Sequence, residues 1–310
     1  MKRMMTRRFA AVALIFAAMS VHAQQRVFVS AALGDDLNAC SVTAPCRSFA
    51  KAITVVTSGG EVLVLDSGGY GAVTINAPVS IVSPLGIEGS VTQSTSGQSG
   101  IAINAPGGFV LLRGLSIFGS GSGDNGVLIS AAAAVSIQSC NISGFTQQGI
   151  ELNVTAPVFL SVTATSSALN GANGIHLNAA AVDQAKFEID HCRLDNNAFA
   201  GIDLNDGTRG TIRDSIANNN LNFGIGVGAH TGGETALIAV DNCTLTRNQT
   251  GIGAAGSGTE TVRVQNSVVA HNQTGVTNFG NANAHIWSRS DNTVADNMTD
   301  GAFTDYYFVK

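Results

Sequence analysis

The pentapeptide GIELN at residues 149–153 returns as GIHLN at 174–178 and as GIDLN at 201–205. Four positions are constant and the middle one changes from Glu to His to Asp. A repeat of this length indicates a chain built from stacked units, each of which contacts only its neighbours. Gly followed by an aliphatic residue recurs at intervals of 23 to 27 residues, at Gly100, Gly126, Gly149, Gly174, Gly201, Gly224, Gly251 and Gly275.

A second element with alternating apolar and polar residues lies inside each period. It reads VSIQSCNI at 135–142, FEIDHCRL at 187–194 and IAVDNCTL at 238–245, and an Asn-rich turn follows it. Alternation of period two is typical of strands, and no helical pattern separates these segments. The sequence therefore predicts an all-β, single-domain right-handed parallel β-helix, with three short strands per coil of about 23–27 residues and coils stacked about 4.8 Å apart.

The amino terminus has the pattern of a secretory signal peptide. Four basic residues precede the apolar stretch Phe9–Met19, and VHA ending at Ala23 fits a cleavage site. We expect residues 1–23 to be removed after Ala23, which makes the mature chain secreted or periplasmic. The apolar stretch is too short to span a membrane, and we expect no membrane span in the mature chain.

The remaining sequence divides into three parts. Residues 24–59 predict a strand, a loop and a short capping helix around Ser48–Val56, residues 60–300 the β-helix, and residues 301–310, which are rich in Phe and Tyr, a carboxyl-terminal cap. Caps are expected because an open coil exposes both the apolar core and unpaired strand edges.

Composition narrows the range of partners. Charged residues make up 12% of the chain, and removal of the four basic residues of the leader changes the net charge from −5 to −9. An acidic surface disfavours nucleic acid and anionic membranes, so we expect neither as a partner. The single Trp and three Tyr argue against a long aromatic-lined groove. We expect a monomer.

The five cysteines fall into two sets. Cys40 and Cys46 lie in the amino-terminal loop, and export to an oxidising compartment predicts a disulfide between them. The others occupy a slot that holds Ser215 and Ser267 in other coils. Adjacent members of this set are two coils apart, about 9–10 Å, which is too far for a disulfide or a shared metal. We therefore predict three buried free thiols, at Cys140, Cys192 and Cys243.

Two polar columns recur at the predicted bends. Asn tolerates a left-handed backbone and bonds locally, and stacked Asn amides can bond along the helix axis. One column contains Asp214, Asn242 and Asn266, and the other contains Asn197, Asn220, Asn248, Asn272 and Asn297.

The middle positions of the three pentapeptides are candidates for chemistry. Ile and Leu point inward in GIxLN, so Glu151, His176 and Asp203 are expected to face solvent, about 5 Å apart on consecutive coils. Such a row favours imidazolium at His176 and can supply a general acid and a general base. We expect the Asn residues two positions later to form a substrate-binding rim, namely Asn153, Asn178 and Asn205.

A second charged column, Asp190, Arg213 and Asp241, lies on another face and predicts a ladder of ion pairs between adjacent strands. Charged residues are concentrated between residues 183 and 214, which singles out the coils near the middle of the stack.

The repeated motifs G-[IV]-x-[LIV], [DN]-[CS]-x-[LIV] and N-x-x-G resemble those of the pectate-lyase-like superfamily of right-handed β-helix proteins over roughly residues 60–300. Pectate lyases of that fold use clustered Asp for calcium and an Arg as base, so the resemblance makes Asp190, Asp214 and Asp241 weak calcium candidates, with Arg213 of the right type for the base. Diagnostic motifs of other members, such as GHG, RxK and DPHD, do not occur in the repeats.

Two functions follow from these observations, and both stay open. The first is a lyase or hydrolase on an extracellular or envelope glycan, with acid–base groups at Glu151, His176 and Asp203 and a substrate carboxylate held by Arg209 or Arg213. The second is a non-catalytic β-helix that binds glycan or serves adhesion or envelope structure.

Overall fold

The computed structural model describes residues 24–228 and 235–307, so the predicted signal peptide and the last three residues lie outside it. Within these ranges the chain is a right-handed parallel β-helix with three sheets and one short helix. Every pair of hydrogen-bonded strands is parallel. The predicted all-β solenoid with three strands per coil is therefore confirmed.

Sheet A is the widest of the three sheets and includes the strand that precedes the helix. Its twelve strands, in spatial order, are Gln24–Val29, Val56–Val64, Val79–Val82, Phe109–Arg113, Ala134–Gln138, Val158–Thr163, Ala185–Asp190, Thr208–Arg213, Thr235–Asp241, Thr259–Gln265, Ala284–Ser288 and Asp305–Tyr306.

Sheets B and C contain ten strands each. Those of sheet B are Gly68–Gly69, Gly89–Thr92, Leu115–Phe118, Asn141–Ser143, Ser166–Ala168, Arg193–Asp195, Ile216–Asn218, Thr244–Thr246, Val268–Ala270 and Thr293–Ala295. Those of sheet C are Val73–Ile75, Ile101–Asn104, Val127–Ala131, Ile150–Val154, Ile175–Ala179, Ile202–Leu204, Phe223–Val227, Thr250–Ala254, Thr274–Thr277 and Thr299–Gly301.

Each coil runs from sheet A through a sharp bend to sheet B, and then through the Asn-rich turn to sheet C. From Ser139 onward the bend between A and B holds a non-glycine residue in the left-handed region, as at Asp214 (φ 48°), Asn242 (φ 53°) and Asn266 (φ 50°). At the second turn the left-handed residue is the one before the Asn column, for example Asn219 (φ 56°) before Asn220. The prediction of left-handed backbone is thus correct for the first column and one residue off for the second.

The buried Asn column is a continuous ladder of amides. In each of its rungs the Nδ2 and the backbone N–H donate to the Oδ1 of the Asn in the next coil, with Nδ2···Oδ1 distances of 3.0 to 3.2 Å. The column begins one coil earlier than predicted, at Asn170, which donates to Asn197. At the far end Asn297 donates to Asp300.

The cysteine slot alternates between thiols and hydroxyls. The backbone N–H of Cys140, Cys192 and Cys243 donates to the side-chain oxygen of Thr165, Ser215 and Ser267, respectively, in the next coil. The three thiols are free and buried, as predicted. Burial raises their pKa to about 11, 11 and 12, so they are neutral thiols at physiological pH.

The helix Phe49–Val55 covers the amino-terminal end of the apolar core. Its cap is Ser48, whose hydroxyl accepts from the N–H of Lys51. Phe49 is fully buried and stacks on Tyr70 at 5.0 Å between ring centroids. The predicted disulfide between Cys40 and Cys46 is present in the loop before this helix.

At the opposite end Phe303 packs against the core, and Asp305–Tyr306 adds the last strand of sheet A. Among the residues that the structure describes, no helix is both long enough and apolar enough to cross a membrane.

Candidate functional site

The middle residues of the three pentapeptides lie side by side on sheet C. Parallel pairing places Glu151 opposite His176 and His176 opposite Asp203, because the flanking Ile and Leu residues of each coil stack in register inside the core. The row ends on both sides at residues without charge, Leu128 and Gly226. We call Glu151, His176 and Asp203 the acid–base row.

Hydrogen bonds fix the imidazole of His176 at both nitrogens. Its Nδ1 lies 2.7 Å from Oε2 of Glu151, and its Nε2 lies 2.9 Å from Nδ2 of Asn205 and 3.7 Å from Oδ2 of Asp203. With the Asn205 amide in this orientation, Nδ2 donates to Nε2 of the neutral ring, whose single proton is then on Nδ1 and is donated to Glu151. Protonation at Nε2 would instead direct an N–H toward Asp203 and an amide oxygen of Asn205.

The row is more enclosed than the strand pattern predicts. The side chains of Glu151, His176 and Asp203 are only 11%, 16% and 18% exposed. Glu151 is wedged between Leu128 in the preceding coil and His176 in the next, which accounts for its burial. The expectation that this position faces open solvent is therefore wrong for Glu151, and exposure increases toward Asp203.

The pKa of His176 is raised above its ordinary value. Burial acts to lower this pKa, but the hydrogen bond and charge of Glu151, together with the charge of Asp203, outweigh it. The balance favours imidazolium, in the direction that the sequence predicts. An imidazole that shares a proton with a neighbouring carboxylate is suited to general acid–base chemistry.

The three predicted rim residues differ in their relation to the row. Asn153 and Asn178 are neighbours in register on sheet C, and Asn153 is exposed. Asn205 alone among them hydrogen-bonds to the row within the described residues, through Nε2 of His176.

A depression of about 130 Å³ opens beside the Asp203 end of the row. Asp203 and Asn205 form part of its wall, and the rings of Phe199 and Phe223 line another part. Phe223 also meets Phe279 edge to face, with ring centroids 5.9 Å apart. The scarcity of Trp and Tyr in the sequence gives no indication of these phenylalanine rings, which therefore were not predicted.

Two glycines lie where the acid–base row ends and the phenylalanine rings begin. Gly226 and Gly253 occupy the position that carries Glu151, His176 and Asp203 in earlier coils. A Cβ at Gly253 would lie 2.6 Å from the Phe223 ring, and one at Gly226 would lie 3.1 Å from both that ring and Asp203. The ring of Phe223 thus lies across the space that larger side chains would fill. An aromatic residue just before GIG was the signal available in the sequence.

The two predicted arginines belong to sheet A rather than to sheet C. Arg209 pairs with Asp183 at 3.5 Å. Arg213 lies in register between Asp190 and Asp241, but in the described part of the chain it forms no ion pair with either. The predicted ladder of ion pairs is therefore wrong, because parallel register brings the Cα atoms together without closing the gap between charged ends.

Only two of the three calcium candidates, Asp190 and Asp214, lie close together. Asp190, His191 and Asp214 present ligand atoms within 4.8 Å of one another. The carboxylate of Asp241 is outside this group and accepts from Asn266 at 3.0 Å. Calcium takes six to eight oxygen ligands, and two carboxylates with one imidazole do not by themselves fit that requirement.

Comparison with known proteins supports the parallel β-helix fold. None of the functionally curated proteins gives a significant sequence match. Solved structures similar to this chain include an alginate lyase from Paenibacillus sp. strain FPU-7, with a TM-score of 0.61, 14% identity, and coverage of 91% of this chain and 97% of that one. The pectate lyase Pel9A has a TM-score of 0.60 at 15% identity, with coverage of 90% and 79%. A pectin methylesterase from carrot has a TM-score of 0.54 at 11% identity, with coverage of 92% and 88%.

At such identities the structural similarity establishes the fold alone. The profile of the right-handed β-helix region matches residues 61–204 and, in an overlapping match, residues 125–299. Since these matches extend over most of the chain, the protein belongs to the right-handed β-helix family and has the fold of its pectate-lyase-like members.

Proposed function

We propose that the protein acts on a glycan, as a hydrolase or lyase, and that the acid–base row is its reactive site. The observation that carries this proposal is the hydrogen-bonded row itself, in which one imidazole lies between two carboxylates at the edge of a depression. The pectate-lyase-like fold supports a carbohydrate substrate by analogy.

The geometry suggests distinct roles within the row. Glu151 is the most buried member and holds Nδ1 of His176, so it acts as a positioning residue. Nε2 of His176 and the carboxylate of Asp203 are nearer the depression and exchange protons with the substrate. Because these two groups are 3.7 Å apart, they would face the same side of a bound sugar. In hydrolysis a proton held by the pair would go to the departing glycosidic oxygen, and the pair would then take a proton from the attacking water.

A second candidate function is glycan binding without catalysis. It is favoured by the enclosure of the row, because carboxylates and imidazole that satisfy one another can simply replace apolar contacts on a sheet surface. In that case the exposed phenylalanines beside the row carry the binding.

We also propose that the protein is exported, as its leader predicts. The disulfide between Cys40 and Cys46 supports this, because such bonds persist mainly in oxidising compartments. Amino-terminal sequencing of protein recovered outside the cytoplasm should read from Gln24.

The test of the catalytic function is a panel of polysaccharides, assayed for new reducing ends and for unsaturated uronides with and without calcium. On any substrate that is turned over, His176→Ala and Asp203→Asn should each lower kcat about 100-fold or more. Matched controls are His271→Asn and Glu188→Gln, which change the same types of side chain at exposed positions away from sheet C.

Activity that survives both substitutions in the row would refute the proposed site. Binding of a glycan without turnover of any substrate would instead support the non-catalytic alternative.

A further inference from the structure

Basic residues are distributed unequally among the three sheets. The ten strands of sheet C, which carry the acid–base row, contain neither Lys nor Arg. Sheet B contains one, Arg193. Sheet A contains Arg26, Arg113, Lys186, Arg209, Arg213 and Arg263.

This distribution bears on the charge of the ligand. A glycan built of uronic acids carries one carboxylate per sugar, and proteins bind such groups with Arg or Lys. On sheet C it would meet the carboxylates of Glu151 and Asp203, with His176 as the one cationic group of the row. Because the site is partly desolvated, repulsion between like charges is weakly screened there.

The depression beside Asp203 has the features of a site for an uncharged sugar. Its described lining combines aromatic rings with the carboxylate of Asp203 and the amide of Asn205, and it contains neither Lys nor Arg. A carboxylate accepts hydrogen bonds from hydroxyl groups, and an amide both accepts from them and donates to them. The electron-rich face of an aromatic ring attracts polarised C–H groups such as those on one face of a pyranose.

The aromatic rings are preorganised. Phe199 and Phe279 contact the central Phe223 edge to face, at 5.8 Å and 5.9 Å between centroids. Phe223 is seated against Gly226 and Gly253, where any Cβ would crowd it. The outer rings retain surface for a ligand, since Phe199 is 38% and Phe279 55% exposed.

We propose that Phe199 and Phe223 form a subsite for an uncharged pyranose, and that the glycan handled on sheet C is neutral rather than a polyuronate. This inference rests on the proposed function and narrows it. β-Elimination requires a C–H bond acidified by an adjacent carboxyl group, which a neutral sugar lacks. The reaction would therefore be hydrolysis, in which water gives its hydroxyl to the anomeric carbon and a proton goes to the departing oxygen.

The experiment measures equilibrium binding by calorimetry with the His176→Gln variant, in which the proposed function predicts slow or no turnover. Neutral hexasaccharides of glucose, xylose, mannose, galactose and N-acetylglucosamine are compared with oligogalacturonate and oligomannuronate. At least one neutral hexasaccharide should bind more tightly than either uronate, and its affinity should change little between low and high salt.

Substitutions then show where the neutral oligosaccharide binds. Phe199→Ala and Phe223→Leu should each weaken that affinity about tenfold or more, whereas Phe159→Ala, at an exposed Phe of sheet A, should not change it. Circular dichroism and thermal unfolding would establish that the Phe223→Leu variant is folded.

The outcomes separate this inference from the proposed function. Tighter binding of a uronate, no binding of any neutral sugar, or wild-type affinity in both phenylalanine variants would overturn the neutral subsite. Uronate cleavage that depends on His176 would leave the proposed function intact and overturn only this inference. Neutral binding at the phenylalanines without turnover by the wild-type protein would support the subsite and count against catalysis.

Discussion

The protonation state of the His176 imidazole affects the stability of the three coils that carry the acid–base row. Its imidazolium form is favoured in the folded chain, because Glu151 and Asp203 lie on either side of it. The folded chain therefore binds a proton more tightly at His176 than the unfolded chain does. The pH dependence of the stability consequently reports how closely the three side chains of the row approach one another.

The stability of the wild-type protein should accordingly depend on pH through His176. Because its folded pKa is raised, the stabilisation is fully present below the unfolded pKa of about 6.5 and is lost as pH rises through the folded pKa. Urea unfolding from pH 5.5 to 9 should show that the advantage of the wild type over His176→Gln shrinks with rising pH. Glu151→Gln should weaken this dependence, and an advantage that grows with pH would contradict it.

The thiols in the core make a second prediction at the scale of single residues. Cys140, Cys192 and Cys243 are buried and have raised pKa values, so a thiol reagent at neutral pH should label none of them in the folded protein. In denaturant without reductant it should label three, and after reduction all five cysteines. Rapid labelling of the native protein would contradict their burial.

The Asn ladder shows how one element ties consecutive coils together. Each interior amide donates to the next coil and accepts from the preceding one, so the loss of one side chain leaves partners unsatisfied on both sides. Buried polar groups without partners are costly, which makes interior rungs more important than exposed turn residues.

Asn220→Ala should destabilise the protein by about 3 kcal/mol or more, since several buried groups lose their partners. The control is Asn219→Gly in the same turn, where glycine accepts the left-handed backbone of an exposed residue at little cost. Chemical denaturation of both variants gives the comparison. Equal loss of stability in the two would mean that the turn backbone, and not the amide ladder, provides the stabilisation.

The coils and their register were predictable because the same physical demands recur in each turn. A core position needs an aliphatic side chain, a bend needs a left-handed residue that is often Asn or Asp, and a regular period then places residues such as Glu151 and His176 opposite one another. The enclosure of Glu151 and the position of the Phe223 ring were not predictable, because they depend on side-chain packing between coils. The prediction that Arg213 forms ion pairs with Asp190 and Asp241 was wrong for the same reason.

At the scale of the whole molecule, the amino-terminal end depends on its cap. The helix lays Phe49 over the core, where it stacks on Tyr70. A solenoid whose end is uncovered exposes apolar surface and strand edges, both of which favour association with another copy.

Phe49→Ala should therefore have two effects. It should destabilise the fold by about 3 to 5 kcal/mol, the usual cost of emptying a buried aromatic position. It should also promote concentration-dependent self-association in sedimentation velocity, whereas Thr54→Ala on the exposed side of the same helix should not. A destabilised variant that stays monomeric at every concentration would show that the helix stabilises the end without shielding it.

The repeated bonding of the Asn amides also bears on how such a protein can change in length. Since an interior rung makes the same contacts whichever coil it belongs to, duplication of one coil between Asn248 and Asn272 would preserve the bonding of all the others. The molecule would grow by about 4.8 Å, the spacing of one strand. The acid–base row ends at Asp203, well before that point, so gene duplication can lengthen this protein without separating the members of the row, although the inserted coil would move Phe279 away from Phe223.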